Sequence, residues 1–539
     1  MAIFASCEVL DTKVDTLHTQ EDLDTNYGNI ITLGYSPYSY IDNGFSRFDW
    51  NIPAARTDEA EYTASSSNVQ SFNDGSWSAY NNPDDVYSRM YLGIRAANHF
   101  LEYTVNYREQ LANNRDTLSD YAREYNRDVE DVEYLRAEAH VLRAYYYFEL
   151  IKRYGGVPLV KTKLGIDDNA DFPRESYDNI VQYAVEEIDY ALDSLQANWK
   201  VKDIGRDGRF SKGSALALKA RILLYAASPL NNASNDIEKW KRAAQAAHDV
   251  ISLGQYSLSN NYRSLFLETA SLTDNEIILS YRSGAINDWE KANYPIGTPG
   301  GNSGVTPSHN LVSAYEYKGT PDPNNPYMNR DPRLLLTVVT NNSSWNGRTI
   351  QTYLGGQDSY TNANTSRTGY YLKKFLIENL TLNRDETRIH NWVMFRYAEV
   401  LLNYAEAMNE AYGPDNDNGY GLSARRAVNM IRGRNGIAMP DVVAGNKDEM
   451  RDRIKHERRI ELALEDHRYW DLIRWKDAET VLNLPIKGIR ATHLSDNQFS
   501  YEEFTVEPRK FEAPKMYLYP IPQTEISKSN GILKQNPGW

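Results

Sequence analysis

The segment spanning residues 134–160 constrains the fold of this chain more than any other. Its apolar residues recur at helical spacing in two separate stripes, which consist of Leu135, Ala139, Leu142, Tyr146 and Leu150, and of Val141, Ala144, Phe148 and Ile151. Gly155 and Pro158 then end the helix and turn the chain into an extended conformation. A helix with two apolar sides packs against neighbours on both. The segment therefore predicts an inner helix of a stacked α-helical array.

Short internal repeats support the same architecture. The pattern Ala-x-x-Leu-Arg-Ala at residues 139–144 recurs as Ala-x-x-Leu-Lys-Ala at 215–220, and a weaker copy begins at Ala398. Between these segments, residues 176–195 and 240–251 have a single apolar face, which is typical of outer helices. The alternation predicts a mainly α fold: a TPR-like array of helical hairpins, with long irregular loop-rich insertions and few short strands.

Three further helices follow from local signals. Asn82 and Pro83 have the residue types of an N-cap and a first helical position, so we expect a helix to begin there. Residues 392–412 are apolar on two sides and are predicted to form a third inner helix. Residues 447–475 are also predicted to be helical.

Three stretches of the chain resemble one known family. Residues 136–160 (RAEAHVLRAYYYFELIKRYGGVPLV) are similar to the signature helix of the SusD/RagB family, residues 458–475 to its C-terminal helix, and residues 519–539 to its closing segment. This family consists of outer-membrane lipoproteins of Bacteroidetes that capture nutrients, usually glycans. The resemblance implies a cell-surface glycan-binding protein without enzymatic activity, which delivers its ligand to a SusC-like TonB-dependent barrel.

The order of these signals predicts four regions. We expect a lipoprotein leader remnant and tether at residues 1–18, and a SusD-like N-terminal helical region at 19–254 that contains a loop excursion at 35–81. An irregular, loop-rich subdomain follows at 255–390. The C-terminal SusD/RagB region is expected at 391–539.

Charge and cysteine content narrow the class of partner. The formal net charge of −14 argues against a nucleic acid or an anionic membrane surface as partner, because either requires a basic field.

The only cysteine, Cys7, excludes an intramolecular disulfide, and residues 4–7 resemble a lipobox. Only six residues precede Cys7, which indicates a truncated leader. We therefore predict lipid attachment at Cys7, and display on the outer membrane through that anchor alone.

Aromatic residues in the irregular segments mark the predicted binding site. The chain has 40 Tyr and 10 Trp, whose rings suit a surface that must be both apolar and hydrogen-bonding. Several of them lie outside the periodic helices, where they have no predicted core role. Exposed rings can stack on the C–H face of a pyranose while polar neighbours bind its hydroxyls. The predicted ligand-binding residues are Trp50, Arg56, Asp58, Trp77, Trp289, Tyr294 and Trp345.

Motifs for catalysis or metal binding are weak. Glu457 and Glu461 lie one helical turn apart, and we interpret them as part of a structural ion-pair network. A zinc helix beginning at His456 fails because Ile460 occupies the second ligand position. Residues 415–419 resemble the start of a calcium loop, but an interhelical turn explains them better. We expect no cofactor, and a structural calcium ion stays an open alternative.

Two other functions stay open at this point. A glycoside hydrolase requires two carboxylates that face each other across a cleft, and no pair in the sequence stands out. A TPR-type scaffold that binds peptides or proteins would use the concave face of the helices instead of the aromatic excursions.

Overall fold

The computed structural model describes residues 27–48, 51–113, 115–165, 168, 171–268, 270–359, 364–495 and 498–539. Its helices are α1 (Tyr27–Tyr35), α2 (Gln70–Asp74), α3 (Tyr87–Tyr103), α4 (Tyr107–Ala112), α5 (Arg123–Tyr154), α6 (Tyr177–Ala191), α7 (Trp199–Lys202), α8 (Lys212–Ala227), α9 (Ile237–Ser252), α10 (Ala270–Thr273), α11 (Asp288–Asn293), α12 (His309–Ala314), α13 (Arg333–Thr337), α14 (Tyr397–Tyr412), α15 (Ala424–Arg432), α16 (Lys447–Glu461), α17 (Arg468–Trp475), α18 (Ala478–Val481) and α19 (Gln523–Lys528). Its strands are β1 (Ala60–Tyr62), β2 (Ile277–Ile286), β3 (Val305–Pro307), β4 (Val338–Val339), β5 (Ser344–Trp345), β6 (Arg348–Thr349), β7 (Tyr371–Leu372), β8 (Arg388–Arg396), β9 (Ile486–Ser495) and β10 (Gln498–Glu507).

The longer helices form the predicted array. The 32-residue helix α5 packs against α3 and α6, α8 packs against α6 and α9, and α9 packs against α14. Polar caps fix where the helices begin: the Ser176 hydroxyl accepts a hydrogen bond from the N–H of Asn179 at 3.2 Å, and Ser211 caps α8 in the same way. The mainly α, TPR-like fold predicted from the sequence is confirmed.

The helix expected at Asn82 begins later. The Asn82 side chain accepts a hydrogen bond from the N–H of Asp84 at 3.0 Å, which makes a turn, and α3 begins only at Tyr87. Asparagine followed by proline is as suitable for a turn as for a helix start, so the local signal was ambiguous.

Two C-terminal helices also differ from the prediction. Trp392 lies in a strand, because residues up to Arg396 pair with β2, and α14 starts at the next residue. The helix predicted over residues 447–475 is interrupted, since Leu464 and Asp466 have left-handed φ angles of +66° and +63°. The interruption separates α16 from α17 and turns the chain sharply.

The strands form two-stranded antiparallel sheets. The long pair β2–β8 connects the irregular middle of the chain to the start of α14. The other long pair, β9–β10, is a hairpin that the sequence analysis did not predict. It leaves the helical body after α18.

Two large hydrophobic cores hold the molecule together. The first fills the helical array, and the second lies within the irregular part of the chain. The second core also takes residues from outside 255–390, such as Phe45, Ile437, Leu464 and Ile489. The loop-rich region is therefore packed as a true protein interior, which decides where its tryptophans lie.

Glu457 and Glu461 belong to a buried ion-pair network, as predicted. Arg333 donates to both carboxylates, and Arg432 and Arg434 each bind one of them. Burial would raise the pKa of Glu461, but Arg434, Arg396 and Arg333 hold it below its ordinary value. Carboxylates engaged in this way are structural.

Candidate functional site

The predicted aromatic site residues are buried. Trp289, Tyr294 and Trp345 are each 0% exposed, and Trp77 is 2% exposed. Trp77 packs against Trp539 in the first core, with ring centroids 4.5 Å apart, whereas the other three rings lie in the second core. The expectation that these rings form exposed platforms is wrong, because long loops without periodicity bury their largest side chains here as efficiently as helices do.

The two predicted polar site residues, Arg56 and Asp58, form ion pairs inside the protein. Arg56 binds Asp84 at 2.8 Å and Asp466 at 3.0 Å. Asp58 binds Arg459 and Arg468; burial would raise the pKa of Asp58, but these two guanidinium groups hold it well below its usual range. Both residues tie the loop excursion to the C-terminal helices and face away from solvent. Trp50 and Cys7 lie outside the described residues.

Three aromatic side chains at the end of the hairpin are accessible to solvent. Tyr353 stacks on His493 with centroids 5.3 Å apart and lies 5.5 Å from Phe499, and these last two rings are 5.3 Å apart. His493 is exposed and the other two are half-buried. We call the surface formed by Tyr353, His493 and Phe499 the aromatic ledge.

Backbone pairing brings these three residues together. Phe499 of β10 lies directly opposite His493 of β9, so their side chains project from the same face of the hairpin. The loop with Tyr353 is fastened to that face by a hydrogen bond from the N–H of Leu354 to the carbonyl of Ala491 at 3.1 Å. The rings therefore meet through main-chain geometry.

A buried carboxylate organises the loop of Tyr353. Asp358 is 1% exposed and accepts hydrogen bonds from the N–H groups of Gly297 at 3.0 Å and Gln351 at 2.9 Å. Arg348 pairs with the same carboxylate. These donors hold residues 348–358 around Asp358 in the conformation that presents Tyr353.

Further aromatic rings connect the aromatic ledge to the second core. Phe499 is 6.4 Å from Tyr501, which contacts Tyr327 edge-on at 5.4 Å, and Tyr327 contacts the buried Tyr370. Burial raises the pKa of Tyr327 well above its ordinary value, so its phenol is neutral and part of the core. The accessible rings are therefore supported from behind by rigid packing.

The chemistry of this surface suits a ligand that is both apolar and polar. Exposed apolar side chains follow two of the rings in sequence: Leu354, next to Tyr353, is 53% exposed, and Leu494, next to His493, is 61% exposed. Gln351 of the same loop accepts the N–H of Gln357 through its amide oxygen at 3.4 Å, and its NH2 group can donate to a hydroxyl. Flat rings with amides beside them can bind a sugar face and its hydroxyls together.

The predicted site does not include this surface, because helical periodicity gives no sign of the hairpin that carries it. Residues 498–501 alternate between polar and aromatic side chains, with Phe499 and Tyr501 two positions apart, which is the period of a half-buried strand. The same rule would have placed Phe499 and Tyr501 on one face. The position of Tyr353 has no comparable signal, since only the folded loop brings it to the hairpin.

The segment that resembled a calcium loop is a turn between α14 and α15. Asp415 pairs with Arg425 at 2.7 Å, and the side chains of Asn416 and Asp417 accept hydrogen bonds from the backbone N–H groups two residues later. These oxygens are engaged within the turn, as expected of an interhelical connection.

Comparison with known proteins decides the family. One family profile, described as SusD family, matches residues 274–539, and another, described as starch-binding associating with outer membrane, matches residues 15–224. SusD-like protein P38 of Formosa agariphila is 31% identical over 384 residues, which cover 67% of this chain and 69% of that protein. The chain belongs to the SusD family. The resemblance stated from the sequence is confirmed.

Solved structures of SusD-like proteins have the same fold. One from Bacteroides fragilis is 26% identical with a TM-score of 0.77 and covers 96% of this chain and 98% of its own. Another from the same species, described as a SusD-like carbohydrate binding protein, is 25% identical with a TM-score of 0.77 and covers 95% of this chain and 100% of its own. In the described part of this SusD family member, no helix has the length and hydropathy to span a bilayer. The description of the second profile agrees with the predicted association with the outer membrane.

Proposed function

We propose that this SusD family member captures glycans at the cell surface through the aromatic ledge. The observation that carries the proposal is the stacked, accessible set of Tyr353, His493 and Phe499, held by the hairpin and by the loop anchored at Asp358. Rings of this kind, fixed in advance, bind sugar faces at little cost in conformational entropy. The relative described as carbohydrate binding supports the same ligand class.

Delivery to a SusC-like TonB-dependent barrel completes the proposed role. The protein would sit on the outer membrane through lipid on Cys7 and cover the extracellular mouth of the barrel. Family membership and the outer-membrane description of one profile support this arrangement. Purification from native membranes in mild detergent should recover the barrel together with the protein. Recovery of the protein alone in several detergents would contradict it.

Binding at the aromatic ledge is tested by removing its rings one at a time. A glycan array with the full chain identifies the ligand, and calorimetry then measures the affinity of Tyr353→Ala and Phe499→Ala. Each change should weaken binding roughly fivefold or more, because a stacked ring contributes about 1 kcal/mol. Tyr80→Ala is the matched control, since Tyr80 is 83% exposed and is not part of the aromatic ledge.

Two outcomes would overturn the assignment. One is the absence of any glycan ligand on the array. The other is an affinity that both alanine variants leave unchanged while their melting temperatures match the wild type. The same purified protein should leave its glycan ligand intact on long incubation, because we propose binding without turnover; hydrolysis would favour the glycoside hydrolase alternative.

Lipid attachment has its own test. Expressed with a lipoprotein signal peptide, the protein should incorporate labelled palmitate and fractionate with membranes. A Cys7→Ala variant should lose both the label and the membrane association. Membrane retention of that variant would contradict the proposed anchor.

A further inference from the structure

A groove separate from the aromatic ledge runs along α3, with a volume of about 360 Å³. Tyr87, Tyr91 and Leu92 of that helix line it on one side, and the extended segment with Val160 and Leu164 lines it on the other. Tyr91 is half-buried and Leu92 is 49% exposed, so a ring and an aliphatic side chain are open to a ligand. The Tyr91 hydroxyl donates to the carbonyl of Pro158 at 2.7 Å, which fixes the ring.

One end of the groove carries positive charge. Arg95 lies one helical turn beyond Tyr91, is exposed, and donates to the carbonyl of Leu164. Lys163 lies nearby, with its Nζ 4.1 Å from the ring centroid of Tyr103. Within the part of the chain that the structure describes, neither side-chain cation forms an ion pair; the Glu102 carboxylate at this end accepts the backbone N–H of Lys163 at 2.6 Å. Burial lowers the pKa of the neighbouring His99 to about 4, and the positive charges of Lys163 and Arg95 contribute to that decrease.

The other end of the groove is electrically balanced. Glu525 and Lys528 of α19 line it and form an ion pair at 2.9 Å. The charge of Glu525 contributes to the raised pKa of Tyr87. Tyr87 lies two helical turns before Arg95 on α3, so the two ends of the groove are well separated. The groove is therefore asymmetric, with an aromatic floor that leads from a neutral end to a cationic end.

Charge complementarity indicates the class of ligand. The chain has a formal net charge of −14, so these two cations beside an accessible ring stand out against an acidic background. A guanidinium group binds a carboxylate through two parallel hydrogen bonds, and a tyrosine ring stacks on the C–H face of a pyranose. A ligand that uses both has a sugar ring next to an acidic group.

We propose that the α3 groove is a second carbohydrate-binding site, specific for acidic oligosaccharides. A uronic acid carboxylate binds Arg95, and a neighbouring pyranose lies over Tyr91. Lys163 adds attraction without direct contact. The site is distinct from the aromatic ledge in its residues and in its preference for charge, so it stands whether or not that surface binds glycans.

The test uses titration calorimetry with the full chain in low-salt buffer. The probes are tetrasaccharides of galacturonic acid, of mannuronic acid and of hyaluronan, and the methyl-esterified galacturonic acid tetrasaccharide is the neutral counterpart. At least one acidic probe should bind. Its affinity should fall as salt is added, and for the galacturonate probe the ester should bind roughly tenfold more weakly, because it lacks the charge-assisted hydrogen bonds.

Variants separate this site from the aromatic ledge. Arg95→Gln should weaken acidic binding roughly tenfold. Arg242→Gln, at an exposed arginine of α9, and Tyr353→Ala should leave acidic binding unchanged. The proposal is overturned if none of the three acidic probes binds, or if Arg95→Gln has no effect. It is equally overturned if Tyr353→Ala abolishes acidic binding, because the ligand would then occupy the aromatic ledge.

Discussion

Arg396 forms a bidentate ion pair with Glu465: its Nε and Nη2 atoms each lie 2.7 Å from a carboxylate oxygen. Both side chains are almost fully buried. Arg396 ends β8, and Glu465 lies in the turn between α16 and α17, so the pair joins the irregular part of the chain to the C-terminal helices. Arg396 also binds Glu276 and Glu461, which places it at the centre of the ion-pair network.

Removing this arginine should destabilise the protein strongly. Arg396→Ala leaves buried carboxylates without a counter-charge, and such losses typically cost about 3–5 kcal/mol. We expect a corresponding fall in the free energy of unfolding, measured by urea denaturation. Lys241→Ala, which breaks a solvent-exposed pair with Glu238 on α9, should lower the free energy of unfolding far less, because water screens that pair. Similar losses for the two variants would contradict a structural role of the network.

Glu59 should make stability depend on pH. Burial and, next, the carboxylate of Asp58 raise the pKa of Glu59 to about 8. The folded protein therefore keeps the Glu59 carboxyl group protonated at neutral pH, whereas in the unfolded chain this group has a pKa of about 4.3. Between those two pKa values the contribution of Glu59 to stability falls as pH rises, by at most about 1.4 kcal/mol per pH unit.

The neutral variant Glu59→Gln should remove this dependence. The free energy of unfolding of Glu59→Gln minus that of the wild type should increase between about pH 5 and about pH 8, because only the wild type loses stability there. Asp58→Asn is the contrasting control: the pKa of Asp58 is lowered by its arginine partners, so this variant should be destabilised throughout that range. A difference between Glu59→Gln and wild type that stays constant with pH would contradict the prediction.

Gly93 should not tolerate a side chain. A Cβ atom at this position would lie 2.5 Å from the ring of Tyr146, which is fully buried and donates a hydrogen bond to the carbonyl of Pro37. Alanine normally stabilises a helix interior by about 1 kcal/mol relative to glycine, but the clash with a fixed ring outweighs that gain. Gly93→Ala should therefore lower the free energy of unfolding by roughly 1–3 kcal/mol.

A second glycine provides the control for this experiment. Gly284 lies at the exposed end of β2, and a Cβ atom there meets nothing within 4 Å. Gly284→Ala should leave the melting temperature nearly unchanged. If Gly93→Ala behaved like it, the contact between α3 and α5 would be looser than the structure shows.

The helical array could be predicted because its periodicity is visible in the sequence. The two stripes of residues 134–154 correspond to the two packed sides of α5, and Ser176 and Ser211 cap the helices that follow. Glu457 and Glu461 were recognised as ion-paired, but Arg333 could not be named as their partner. It lies more than a hundred residues earlier in a five-residue helix, and only the tertiary fold joins them.

Burial in the irregular part could not be predicted in the same way. Trp345 lies in a two-residue strand and Trp289 in a six-residue helix, which are too short to show which side faces inward. Trp289 is covered by Phe45, with centroids 5.0 Å apart, from a distant loop. The prediction of an exposed ring was therefore wrong for a reason that sequence periodicity cannot detect.

The hairpin β9–β10 joins the rest of the molecule at its open end, where Ile486 pairs with Glu507. His493 and Phe499 lie at the far end, and the second core takes only Ile489 from these strands as a fully buried member. Two of the three rings of the aromatic ledge are thus encoded by one short, contiguous stretch of gene. Recombination of that stretch between related proteins would transfer His493 and Phe499 together, while Tyr353 and the first hydrophobic core stayed as they are.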